Sequence, residues 1–242
     1  VGGTGLWTLT RRPPVDLTGQ VLRLVAPTQI AAAIMLAAGA VAALSFAVAA
    51  CGSDDSGSDS TPKPVAQIDP VTGVSTKVTL DAGFVEALTA LKVSPGPVGK
   101  ATISKDGVAD FPITGGNVTY YDPQSDYRPF VQGILMHDGS GLSLTAGDTK
   151  VELTDFVIDP GTSTLTGTVS VNGKEAATDA LLFNLDGSTL KPLISNPDGS
   201  ATLEGTTVKL SDDAAALLND TFGIKDLKGG LVIGISAITV KG

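Results

Sequence analysis

From about residue 74 onward, apolar and polar positions alternate along the chain. In Thr76–Leu80 (TKVTL), Lys150–Val157 (KVELTDFV) and Thr164–Val171 (TLTGTVSV) β-branched or apolar residues alternate with polar ones. A period of two predicts strands with one buried and one wet face. Between such runs stand short turn signals, Asp106-Gly107, Asp138-Gly139, Asp159-Pro160-Gly161, Asn172-Gly173, Asp186-Gly187 and Asn196-Pro197-Asp198-Gly199. Asn and Gly suit hairpins there because they tolerate positive φ. Turns this frequent predict an all-β fold, an antiparallel β-sandwich or barrel. Residues 74–242 are enough chain for a single core of that kind.

Two segments break the alternation, 78-VTLDAGFVEALTALKV-93 and 208-VKLSDDAAALLNDTFGI-224. Each reads as a strand followed by a short helix, over about 81–92 and 212–222. Asp81 and Ser211 stand where an N-cap accepts from the unpaired N–H groups of the first turn. Phe84, Ala87, Leu88 and Leu91 in the first, and Ala214, Leu217, Leu218 and Phe222 in the second, recur every three or four residues. Such stripes pack on a sheet. The likeness of the two segments suggests two related halves.

The beginning of the chain has a different pattern. Ile30–Ala50 carries no charge and is long enough to cross a bilayer. It ends in 48-VAAC-51, small residues before the sole cysteine, the shape of a bacterial lipobox; Arg23 supplies the basic region ahead of it. Residues 1–50 are therefore read as a signal peptide and Cys51 as the lipidated residue. The competing reading is a plain membrane span, which lacks a Lys or Arg cluster directly after residue 50. Arg11-Arg12 resembles a twin-arginine signal, but Pro13-Pro14 occupy positions where apolar residues belong. Val at position 1 is read as a misplaced translation start. After Cys51 the run GSDDSGSDSTPKP cannot bury apolar surface, so 51–73 is expected to be a flexible acidic linker and 74–242 a single all-β domain. These features predict the outer face of the cytoplasmic membrane, with the membrane contacted through lipid on Cys51. A lone cysteine spent on lipid leaves neither a disulfide framework nor a thiolate metal site.

Charge narrows the partners. The chain has 16 Lys plus Arg against 25 Asp plus Glu, a net charge of −9. Setting aside Arg11, Arg12, Arg23 and Asp16, the part after Cys51 has 13 against 24, or −11. A field of that sign repels phosphate backbones, so no nucleic-acid partner is expected.

The chemically versatile side chains lie in one stretch, 120-YYDPQSDYRPFVQGILMH-137, which holds every Tyr, Arg, Met and His that follows Cys51. Its 121-YDPQSDYRP-129 part reads as a loop. Tyr120, Tyr121, Tyr127, Arg128 and Phe130 are the candidate contact residues, since Tyr and Arg are favoured at binding hot spots. Met136 reads as core filler. For His137, beside Asp138-Gly139, the plain reading is an exposed turn residue and the functional reading a ligand.

The order 137-HDGSGLSL-144, 151-VELTDF-156, 164-TLTGTV-169, 181-LLFNLDG-187, 201-ATL-203 and 210-LSDDAAALLNDTF-222 resembles the later part of the Htaa-type haem-binding domains of Gram-positive haem-uptake proteins. The resemblance implies that His137 partners a haem-ligating tyrosine. In the family that tyrosine lies near the start of the domain, in an F-R-x-Y segment preceded by Trp-Gly. This chain has no Trp after Cys51, and its 127-YRPF-130 stands only ten residues before His137, so the axial ligand is not carried over. The segments 79-TLDAGFVEAL-88 and 111-FPITGG-116 also resemble lipoproteins of Gram-positive bacteria whose activity is not known. Haem is thus the alternative ligand, with Tyr127 or His137 toward the iron and Arg128 toward a propionate.

No G-x-S-x-G elbow, phosphate-binding loop or dinucleotide fingerprint occurs. A triad of His137, Ser140 and Asp155 could be drawn, but 139-GSG-141 reads as a hairpin turn. Asp212-Asp213 complement a helix dipole. The expectation is a non-catalytic binding or structural module that recognises an envelope component, whether protein, glycan or wall, through the tyrosine-rich loop.

Overall fold

The computed structural model describes residues 61–242; the expected signal peptide and Cys51 lie outside the described residues. The elements in order are β1 (Ala66–Ile68), β2 (Gly73–Leu80), α1 (Ala82–Ala90), β3 (Ser94–Gly99), β4 (Thr102–Ile103), β5 (Val108–Pro112), β6 (Gly115–Tyr120) and β7 (Val131–Ala146). There follow β8 (Thr149–Asp159), β9 (Thr164–Val171), β10 (Lys174–Asp186), β11 (Ile194–Ser195), β12 (Ala201–Leu210), α2 (Asp212–Phe222) and β13 (Val232–Lys241). All strand pairs are antiparallel, in the order β1-β6-β7-β8-β9-β10-β12-β13-β2-β5-β4, with β3 beside β7 and β11 beside β12. The runs 76–80, 150–157 and 164–171 fall inside β2, β8 and β9, as their alternation predicts.

The chain itself joins the two sides of this sheet. β5 lies on β2, and two residues later the same run continues as β6 on β7. At the bend, Ile113 N–H donates to Val74 O at 3.1 Å and Thr114 N–H to Met136 O at 2.8 Å. β1 and β2 do the same in parallel fashion, β1 lying on β6 and β2 on β13. The sheet therefore curls into a half-barrel, with one face turned inward on every strand. β1 sits within the stretch assigned above to the linker; Ala66, Gln67 and Ile68 pair with Tyr120, Thr119 and Val118, and Val71 is buried. Among the described residues every strand finds its partners and the core its members within 66–242, which forms a compact unit.

Both helices leave strands at the same end of the curl. The Asp81 carboxylate accepts from Gly83 N–H and Phe84 N–H, and the Ser211 hydroxyl accepts from Ala214 N–H, as the sequence signals required. Gly223 ends α2 in the left-handed region at φ 67°, a conformation that favours glycine. Phe84 and Leu88 of α1 meet Leu218 of α2 beneath Leu142, Leu144, Leu153, Phe183 and Leu210, leaving a void of only about 20 Å³. Burying an aromatic or leucine side chain there contributes about 1.5–3 kcal/mol each. That end of the half-barrel is plugged.

One expectation fails instructively. Asp138-Gly139 and 139-GSG-141 form no hairpin; β7 runs through them as one strand of sixteen residues. The register against β8 slips between His137 and Gly141, and β8 slips in turn between Thr154 and Val157. The result is a bulge pinned by side chains. Asp138 N–H donates to Thr114 Oγ1 at 3.0 Å, and Gly139 N–H to Asp155 Oδ1 at 2.8 Å. A bulge needs the same flexible polar residues as a turn, which is why the sequence could not separate them. Gly141 follows because a Cβ there would stand 2.1 Å from Leu153 O.

Candidate ligand-binding site

Since each strand presents alternate residues inward, the interior is set by one residue in two. Those residues include Val78 on β2, Phe111 on β5, Leu135 on β7, Phe156 and Ile158 on β8, Leu165 on β9 and Leu203 on β12. Phe111 and Phe156 meet edge to face at 5.3 Å between centroids, but the inward side chains do not fill the whole interior. Between them lies a cavity of about 460 Å³, lined almost wholly by apolar side chains. Interiors are ordinarily packed with few voids larger than a water molecule, and ligand pockets measure roughly 300–1,000 Å³. This space has the size of a binding site rather than of a packing defect.

Its mouth is the tyrosine-rich loop. Exposed Arg128 and Pro129 and half-buried Phe130 line it at the surface, beside buried Tyr120 and together with Leu190 and Leu193 from the segment after β10. Tyr120 and Phe130 stack edge to face with centroids 5.9 Å apart, and the Arg128 guanidinium lies 5.4 Å from the Phe130 centroid. Arg128 donates to three carbonyls of its own loop, Ser125 O at 2.6 Å, Tyr127 O at 2.8 Å and Pro123 O at 3.2 Å. Those bonds hold 123–128 in one shape. None of the ion pairs among the described residues engages Arg128.

Tyr121 and Tyr127 are placed elsewhere. Their rings meet each other at 4.6 Å between centroids, and neither lines the cavity. Loss of hydration raises the Tyr121 hydroxyl above its ordinary value, and Tyr127 beside it raises it further. A phenol that resists ionisation is a poor phenolate ligand.

His137 is inside, not at an exposed turn. The bulge gives the reason: before it the odd residues Leu135 and His137 face inward, and after it the even residues Leu142 and Leu144 are buried. His137 is 1% exposed, with Nδ1 3.1 Å from Phe156 O and Nε2 2.9 Å from Thr76 Oγ1. A carbonyl can only accept, so Nδ1 carries the proton and Nε2 accepts from the threonine hydroxyl. Burial lowers the imidazole's pKa, against a smaller upward pull from the Phe156 carbonyl and Asp138, and the ring is neutral at pH 7.

Hydrogen bonds do not assemble the drawn triad. Ser140 Oγ donates to the backbone O of His137 at 2.9 Å, while the Asp155 carboxylate accepts from Gly139 N–H and Thr154 Oγ1. No group of three or more His, Cys, Asp or Glu among the described residues could hold a metal ion.

The structure thus brings Tyr120, Arg128, Phe130 and His137 to one cavity and leaves Tyr121 and Tyr127 apart. Sequence reasoning missed Thr76, Thr206 and Ser236, which also line it. A faint signal existed for Thr76, a polar residue on the otherwise apolar Thr76, Val78, Leu80 face of TKVTL.

No protein-family model matches the chain. Two uncharacterized proteins of Mycobacterium tuberculosis, from two strains, are each 55% identical over 40 residues, which is 16% of this chain and 35% of theirs. The match thus spans about a third of the length of these curated relatives. Among solved structures, the C-terminal domain of HtaA from Corynebacterium glutamicum superposes over 71% of this chain and 97% of its own, with a TM-score of 0.46 and 13% identity. The domain-swapped dimer of a histidine-to-alanine variant of that domain covers 66% and 92%, with a TM-score of 0.37 and 11% identity. The HtaA domain is a structural neighbour of the chain, which is itself a mostly antiparallel β-structure with a curled sheet and two helices.

Proposed function

We propose that the chain is a binding module of the cell surface, tethered by lipid on Cys51, that holds an apolar ligand inside its half-barrel. The supporting observation is the cavity of about 460 Å³, apolar, plugged by the helices at one end and rimmed by Tyr120, Arg128 and Phe130 at the other. A hydrocarbon guest in an apolar space of that size is favoured by roughly 25 cal/mol per Å² of apolar surface it removes from water. The loop named from sequence then acts as the entrance, with the ligand passing beside its stacked aromatic rings.

Residues 61–242 should take up the neutral fluorophore N-phenyl-1-naphthylamine saturably, near one equivalent, with a blue-shifted emission. Leu203→Trp, which narrows the interior, should weaken that uptake while the protein still melts cooperatively. Uptake equal in both proteins would place the fluorophore elsewhere and refute the reading. Tethering predicts that an alkyne-bearing palmitate fed to cells labels the chain, and that Cys51→Ala is not labelled.

A second reading, haem, is favoured by the sequence resemblance and by an apolar slot with an arginine at its rim, suited to a porphyrin and its propionates. What the residues do not offer is a ready iron ligand. The histidine that should partner a tyrosine partners Thr76, and both of its ring nitrogens are engaged. Haemin titration of 61–242 decides between the two: a Soret band that saturates near one equivalent and weakens in His137→Ala or Tyr127→Phe would establish haem, and an unchanged spectrum would dismiss it.

A further inference from the structure

Midway along the apolar interior there is one polar level. Thr76 on β2, Ser236 on β13 and Thr206 on β12 occupy neighbouring inward positions, Thr206 directly opposite Ser236 and Ser236 one inward step from Thr76. His137 reaches the same level from β7 by its bond to Thr76 Oγ1 at 2.9 Å. The Thr76 hydroxyl proton is spent on that bond, which leaves its oxygen lone pairs as acceptors. Ser236 is 4% exposed, and neither it nor Thr206 has a side-chain hydrogen bond to any described residue. Among the described residues no sealed side-chain nitrogen or oxygen lacks a partner. The Ser236 hydroxyl therefore keeps an open side, and the space it opens on is the cavity.

Resting on the reading of the cavity as a binding site, we infer that the ligand is a hydrocarbon bearing an uncharged oxygen, a hydroxyl, ketone or ester, seated at the Thr76, Ser236 and Thr206 level. Hydroxyls both donate and accept, so this level can satisfy either kind of oxygen. A charged group there is disfavoured, because no Lys, Arg, Asp or Glu lines the cavity except Arg128 at the rim, and His137 is held neutral. An entirely apolar ligand would leave the two open hydroxyls without partners.

Dodecan-1-ol and dodecane, which differ by one oxygen, test this by competition against N-phenyl-1-naphthylamine on residues 61–242. A featureless apolar cavity takes dodecane in preference, since burying an unpaired hydroxyl is unfavourable. The expected result is the reverse, with dodecan-1-ol displacing the fluorophore at concentrations at least tenfold lower. In the Ser236→Ala, Thr206→Val double variant the order should invert, with dodecane affinity held within about threefold, which also shows that the variant is folded. Dodecane binding as well as or better than dodecan-1-ol in the unmodified protein would overturn the inference and leave the cavity reading standing. Failure of the fluorophore to bind would overturn both.

Discussion

His137 shows how much one residue can carry in this chain. It is the single histidine, it is buried, and both of its nitrogens are bonded. Because burial depresses its pKa in the folded state, the unfolded chain binds the extra proton first as pH falls. Stability contributed by the neutral ring is present above about 6.5 and is lost as pH drops from there through the folded value. Denaturant melts should therefore show stability declining as pH falls below 6.5 in the native protein, and less steeply in His137→Gln. Asp186 and Asp198, held low first by bonds from Lys209 and Ser200 respectively, act only near and below the ordinary carboxylate range of 3.8 and do not blur it. At pH 8, His137→Ala should cost about 2–3 kcal/mol, because the Thr76 hydroxyl and the Phe156 carbonyl lose their partner. Gly141→Ala is a second test at this scale. With Leu153 O 2.1 Å from the new Cβ, β7 and β8 must part, and a loss of at least about 2 kcal/mol is expected in the same melts. The identity of His137 was plain in the sequence; its direction was not, because the residues beside it serve equally as turn and as bulge.

At the scale of elements, part of the structure was legible. Alternation marked β2, β8 and β9, and cap residues marked both helix starts, because these depend on local backbone chemistry that a short window contains. The caps also separate in strength. Asp81 accepts from two N–H groups at an exposed helix start, at 2.8 and 3.3 Å. Ser211 is 1% exposed, accepts from Ala214 N–H and also donates to Leu181 O at 2.7 Å, so its loss breaks a helix cap and a tie to β10 together. Ser211→Ala should lower stability by about 2 kcal/mol and Asp81→Ala by about 1 kcal/mol or less. Equal losses in chemical denaturation would show that the tie to β10 carries nothing. What no window contained was pairing between distant strands: β5 and β6 look like separate short strands, and only the partners Val74 and Met136 reveal them as the bend that curls the sheet.

At the scale of the whole molecule, the cavity could not be read from sequence at all, and the reason is physical. An inward position on a strand is apolar whether it meets another side chain or empty space. Residues such as Ile158, Leu165 and Leu203 therefore look like ordinary core until the curvature of the sheet holds them apart. The same geometry gives the last prediction. A guest that binds only the folded protein stabilises it by RT ln(1 + [L]/Kd), about 2.7 kcal/mol at a hundredfold excess over Kd. For a segment of this length roughly 2–4 °C accompanies each kcal/mol, so saturating dodecan-1-ol should raise Tm by about 5–10 °C. Leu203→Trp should raise Tm without any guest, because the indole adds contacts inside the half-barrel, and should reduce the further rise on adding dodecan-1-ol. A Trp variant that gains as much stability from the alcohol as the unmodified protein would mean that the guest sits outside the half-barrel, and the tyrosine-rich loop would then have to be the binding surface itself rather than the entrance to one.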